Sequence, residues 1–180
     1  MAVGATTSGQ PRRGGQLSPL LVAVVGFSAR HWLFAANTFL LLYATLPVLA
    51  PILAVLGQNA VATMIFQSYW IVCNQLPSHS FFLFGHQLAF CERCTALYWS
   101  MALSGLAYVR LRRQGLPALP WHWYFLAVLL IAVDGFTQMF GWRESTWLLR
   151  SITGALFGTT TVWVAFPHLQ ASFEEIVSEL

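Results

Sequence analysis

Between His31 and Gly57 the chain reads HWLFAANTFLLLYATLPVLAPILAVLG, with no charged side chain. About 20 apolar residues in a helix cross the hydrocarbon core of a bilayer, and a backbone in lipid must satisfy its own polar groups. This run is long enough to do so. It holds Asn37, and its Pro47 and Pro51 are of a kind that membrane helices tolerate. Three further runs repeat the pattern: Thr95–Val109, Trp121–Phe140 and Thr146–Phe166. The first of these is short, so residues of the preceding loop are expected to supply its first turn. Soluble domains carry about a quarter charged residues, whereas this chain has 8% charged and 57% hydrophobic residues. The expectation is an all-α polytopic membrane protein with four transmembrane helices and membrane lipid around it.

Two weaker segments accompany the spans. LSPLLVAVVGF is too short to cross and reads as an interfacial helix. Asn59 to Val72 has the length of a re-entrant or interfacial helix, with a short fifth span as the alternative. Residues 1–17, rich in Gly, Ser, Thr and Pro, read as a disordered tail before a single membrane domain over 18–166. Residues 167–180 read as a short tail. Arg12 and Arg13 ahead of an apolar stretch imitate a signal peptide, but the small-residue cleavage pattern is poor.

Arginines set the orientation. Arg110, Arg112 and Arg113 fall between the second and third spans, and Arg12, Arg13 and Arg30 precede the first. With four spans both clusters lie on one side, which the positive-inside rule makes cytoplasmic. The expectation is a multi-pass protein of the cell membrane with both termini in the cytoplasm. The 57–94 loop and the GWRES turn then face outward. The net charge of +3 is small and clustered, which argues against a nucleic-acid partner.

The outward loop holds all three cysteines, in CNQLPSHSFFLFGHQLAFCERC. Cys91 and Cys94 form a C-x-x-C, a spacing that lets two thiolates meet one tetrahedral metal or close a redox-active disulfide. Arg93 between them favours a nearby thiolate. With Cys73 and a histidine the set becomes Cys₃His, a known zinc arrangement. His86 is the expected fourth ligand, and His79 the alternative. The same atoms also fit an oxidoreductase, with Cys91 and Cys94 exchanging and Cys73 resolving. A structural disulfide with one free thiol is the plainest possibility, since three is an odd number.

Ionisable groups recur deeper in the chain. Asp134 and Gln138 are four residues apart and share a helix face, Arg143 and Glu144 lie in the outer turn, and Arg150 sits one turn into the fourth span. Charges at membrane depth are costly unless paired. Asp134 and Arg150 are therefore expected to pair, or to share a hydrogen-bonded pocket with Gln138 and the cysteine loop. A purely structural helix pin, with Gly154 and Gly158 allowing close approach, is the competing reading. Asp134, Gln138, Arg150 and Arg93 are the candidates for any catalytic role. No G-x-S-x-G, H-E-x-x-H, Walker or dinucleotide motif is present. His31, His122 and His168 are isolated near span ends, and the eight tryptophans suit interfacial belts.

Two patterns together resemble a family of small prokaryotic membrane proteins classed as a domain of unknown function. One is C-x-Q-x-P-x-x-S…C-x-R-C-T, here Cys73, Gln75, Pro77, Ser80, Cys91, Arg93, Cys94 and Thr95. The other is DGFTQMFGWRESTWLLRSITG, from Asp134 to Gly154. In the family pattern His often follows the first Cys and Arg often precedes the Ser; here Asn74 and His79 stand there, which makes His79 a substitute ligand. The resemblance implies that the cysteine loop and the Asp/Gln/Arg hairpin form one unit. The leading expectation is a membrane protein binding zinc or another transition metal, supported by Asp134, Gln138 and Arg150. A thiol–disulfide oxidoreductase and a non-catalytic accessory subunit among other membrane subunits are the alternatives.

Overall fold

A computed structural model describes residues 18–114 and 117–179, so the expected tail at 1–17 lies outside the described residues. Helix α1 spans Pro19–Val55 and α2 spans Asn59–Ser68; strands β1 (Ser80–Leu83) and β2 (His86–Cys91) follow. Helices α3 (Glu92–Leu111), α4 (Trp121–Met139) and α5 (Trp147–Glu179) complete the chain. The molecule is mostly helical. Among the described residues, two segments, Val22–Val55 and Trp121–Met139, are long and apolar enough to cross a membrane. Helices α3 and α5 are comparably long, but their Glu, Arg and His residues lower their mean hydropathy.

The sequence expectations need three corrections here. The stretch expected as a separate interfacial helix is the first part of α1. Nothing between Phe27 and His31 breaks a helix, since Ser28, Ala29 and Arg30 are polar or small but not Pro or Gly. Residues 167–179, expected as a tail, continue α5, with Pro167 inside the helix. The fold is also not purely helical. The loop before the Cys91/Cys94 pair is a β-hairpin, antiparallel, with Leu83 facing His86 and Phe82 facing Gln87. Its two-residue turn, Phe84-Gly85, has φ of 53° and 79°. Positive φ at both positions matches the right-handed twist of the strands.

The C-terminal ends of α1 and α4 are closed by glycine. Gly57 sits at φ 77° after α1. Its N–H meets the Ala54 carbonyl at 3.1 Å, and the Gln58 N–H meets the Leu53 carbonyl at 2.9 Å. This paired capping satisfies carbonyls that the helix leaves open. Gly141 (φ 69°) closes α4 in the same way, the Trp142 N–H reaching the Thr137 carbonyl at 3.0 Å.

Helix α5 lies along α3, with α1 on one side and α4 on the other. Gly154 and Gly158 make the α3–α5 approach possible: a methyl group at either would overlap backbone of α3, at Arg93 and Leu97 respectively. Leu33, Leu40 and Ala44 of α1, Ala102 and Tyr108 of α3, and Val162 and Phe166 of α5 form one core cluster. Tyr108 Oη donates to Gln170 Oε1 at 2.7 Å. A second cluster joins Ala50 of α1 to Tyr69, Cys73, Ala89 and Phe90, placing the hairpin and cysteine loop against the far end of α1. There the rings of Tyr43, Tyr69, Phe90 and Tyr98 pack with centroids 4.7–5.9 Å apart, Phe90 stacked on Tyr98 and the other pairs tilted or edge-on.

Candidate functional site

The chain brings the three cysteines together from three elements. Cys73 follows α2 and is held by its N–H to the Tyr69 carbonyl at 3.0 Å. Cys91 ends β2 and caps α3, and Cys94 lies in the first turn of α3. Their three Sγ atoms all lie within 4.8 Å of one another, with Cys73 buried and the other two partly so. All three are free thiols. The Cys91 N–H donates to Cys73 Sγ at 3.2 Å. The thiols of Cys91 and then Cys94, turned toward Cys73, hold its thiol far below the usual range against the opposing effect of burial. Cys91 moves the other way, raised chiefly by its contact with the Cys73 sulfur.

A glutamine staple positions Cys73. Gln75 takes a left-handed conformation (φ 48°) and is buried. Its Nε2 donates to the Phe66 carbonyl of α2 at 2.7 Å and to the Ala89 carbonyl of β2 at 2.8 Å. Gln87 returns the favour, donating from Nε2 to the Gln75 carbonyl at 2.7 Å and to Ser80 Oγ at 3.0 Å. The loop carrying Cys73 is thereby tied to the strand carrying Cys91.

The two residues inside the C-x-x-C diverge. Successive helical residues point about 100° apart, and Glu92 and Arg93 reach different helices. Glu92 Oε2 accepts from Arg150 Nη1 of α5 at 2.9 Å. Both are buried, at 8% and 5% exposure. Arg93 Nη2 pairs with Asp134 Oδ2 of α4. Asp134, 2% exposed, also accepts from Arg143 Nη2 at 2.9 Å and from Ser145 Oγ at 2.6 Å. The direct Asp134–Arg150 pair expected from the sequence is therefore not formed. Each takes an opposite charge from the cysteine motif instead: α3 packs along α5, which brings Glu92 to Arg150, and the long Arg93 side chain reaches across to Asp134 of α4.

Arg150, Gln138, Arg93 and Cys91 do share a cavity of about 310 Å³, together with Asn74, Gln75 and His79. Gln138 Oε1 lies 3.4 Å from Arg93 Nη2, and its amide Nε2 lies 3.1 Å from the His79 ring. Burial first, then the positive charge of Arg150, push His79 below its ordinary range and favour the neutral ring.

The two histidines part company. His86 opens β2, five residues from Cys91 along an extended strand, which places it roughly 16 Å away at about 3.3 Å per residue. It lines a different cavity with Ala50, Pro51 and Phe66. His79 shares a cavity with Cys91. Among the described residues, neither belongs to the close sulfur group.

Sequence reasoning gave Glu92 and Gln87 no part in this assembly, and Gln75, Arg143 and Ser145 entered it only as letters of the family patterns or of the outer turn, without partners. The signal for the first lay in charge matching: an adjacent Glu-Arg pair on one helix faces an Arg and an Asp on two others.

Comparison with known proteins places this assembly in context. A family profile described as a predicted membrane protein (DUF2085) matches residues 73–164. That region begins at Cys73 and contains the cysteines and the three ion pairs around them. An uncharacterised protein of Methanocaldococcus jannaschii is 34% identical over 144 residues, covering 77% of this chain and 92% of the relative. One from Methanothermobacter thermautotrophicus is 33% identical over 108 residues, covering 59% of this chain and 96% of the relative. No solved structure matches. With a profile spanning half its length and a relative matched over nearly all of its own, the chain belongs to the DUF2085 family of predicted membrane proteins.

Proposed function

We propose that this protein is a four-span membrane protein whose cysteine cluster binds zinc or another thiophilic transition metal at the outer face. The observation that carries the reading is the three Sγ atoms within 4.8 Å of one another. Three soft thiolates select zinc, copper(I) or iron over hard cations. Cys73 joins the C-x-x-C pair rather than standing apart, which suits a three-ligand metal set better than an exchanging pair with a remote third thiol. Cys91 and Cys94 lie at the start of a 20-residue helix, where the helix dipole favours thiolates. His79, which lines a cavity with Cys91, is the histidine we assign as the fourth ligand. Glu92–Arg150 and Arg93–Asp134 act as the supporting shell that fixes the cysteine turn against α4 and α5.

The four-span reading rests on α1 and α4 by their length and apolar content. For α3 and α5 it rests on length and on exposed Leu103, Leu106 and Val109, and Leu148, Ile152 and Leu156. Arg30 and Arg112 border one groove, at the end opposite the cysteines, which is the end that the positive-inside rule makes cytoplasmic. Cysteine accessibility tests the topology: a membrane-impermeant thiol reagent should label the metal-stripped protein in intact cells. Labelling only after lysis would reverse the orientation.

A further inference from the structure

The Cys91 cavity has a character that the metal reading does not use. Two guanidinium groups, Arg93 and Arg150, line it from different helices, with Gln138 from α4 and Asn74 and His79 from the cysteine loop. Arg150 is more than nine-tenths buried, and its Nε has no hydrogen-bond partner; nor has the Nε of Arg93. A buried donor without a partner costs free energy, so the carboxylates beside these two guanidinium groups leave part of their hydrogen-bonding capacity unmet. The carboxylates nearby are already engaged. Glu92 is held by Arg150, and Asp134 by Arg93, Arg143 and Ser145. Three arginines gather on two carboxylates here, so guanidinium N–H groups outnumber the carboxylate oxygens beside them.

We propose that this cavity binds a phosphate-class oxyanion. Donor-bearing side chains come to it from α3, α4, α5 and the loop, which suits a tetrahedral anion better than a planar carboxylate. A volume of about 310 Å³ admits the anion with a small substituent. Its place beside the membrane allows the same chemistry to arrive as free phosphate or as the headgroup of an anionic lipid. The site stands on its own donors and needs no metal at the sulfurs.

The test uses full-length protein in detergent, with thermal unfolding followed as inorganic phosphate is titrated against sodium chloride of equal ionic strength. A second arm compares nanodiscs of phosphatidylglycerol with nanodiscs of phosphatidylcholine. The paired variant E92Q/R150Q removes one guanidinium without leaving a buried charge alone. Gln138→Met keeps the three ion pairs and removes only an amide, so it serves if the paired variant does not fold. Phosphate should raise Tm of the wild type, with binding weakened about fivefold or more by Gln138→Met and lost in E92Q/R150Q. If only phosphatidylglycerol stabilises, and the variants remove that selectivity, the anion is a lipid headgroup. Stabilisation by neither, or equal stabilisation of wild type and variants, overturns the proposal. Repeating the titration in Cys73→Ser separates the two sites: phosphate binding that persists there stands whatever the fate of the metal.

Discussion

The ion pair between Glu92 and Arg150 offers a quantitative test of how the cysteine turn is held. The two groups lie 2.9 Å apart, with side-chain exposures of 10% and 6%. Glu92→Gln leaves the Arg150 charge buried and short of its carboxylate. Breaking a buried pair in this way costs about 3–5 kcal/mol, most of it the desolvation of the surviving charge rather than the attraction lost. Removing both charges should cost far less, because a neutral pair of similar volume can pack and hydrogen-bond without that penalty. The expected pattern is thus strongly non-additive: E92Q alone near about 3 kcal/mol, and E92Q/R150Q within roughly 1–2 kcal/mol of wild type. Reversible unfolding in mixed detergent micelles, followed by tryptophan fluorescence, reads these values. A single-variant cost at or below about 0.5 kcal/mol, typical of surface positions, would refute the buried-pair reasoning. So would a double variant as unstable as the sum of the singles.

Other consequences are accessible to the same protein. Cys73→Ser should lower transition-metal affinity by more than about 100-fold, beyond what outer-shell substitutions cost, as read by competition with a chromophoric chelator. Gln75→Ala deletes two hydrogen bonds and orphans the Phe66 and Ala89 carbonyls, which should cost about 2–4 kcal/mol in the same unfolding assay. Gly158→Val places side-chain atoms against the Leu97 carbonyl and Ser100 and should destabilise by at least about 1–3 kcal/mol. His79 binds protons less readily folded than unfolded, because burial and Arg150 disfavour its cation. Its contribution is therefore full above the ordinary value of 6.5 and declines as pH falls below it. His79→Gln should flatten the acid side of the stability profile.

Much of the helical layout could be read from hydrophobic runs and their punctuation. Trp121–Phe140 became α4 to within a residue, and Gly57 and Gly141 close α1 and α4 at positive φ. The hairpin was harder. FFLFGHQLAF is apolar on both faces, so it lacks the alternation that marks a half-buried strand. Its turn puts Phe84 at φ 53°, where turn rules look for Asn, Asp or Gly. That miss carried over to His86, which seemed close to Cys91 only while the segment was treated as a compact loop. The grouping of the cysteine loop with Asp134, Gln138 and Arg150 was visible because buried charge needs company. The pairing inside the group was not visible. It depends on α5 lying along α3 through Gly154 and Gly158, a contact that neither periodicity nor charge count specifies.

The central claim is that Cys73, Cys91 and Cys94 act together as one metal site. Elemental analysis of the detergent-purified protein, run beside thiol alkylation before and after chelation, tests it most directly. The account predicts about one transition-metal ion per chain, with the three thiols protected until the metal is stripped. Protein without metal, taking up none when supplied, with all three cysteines freely alkylated from the outset, contradicts it.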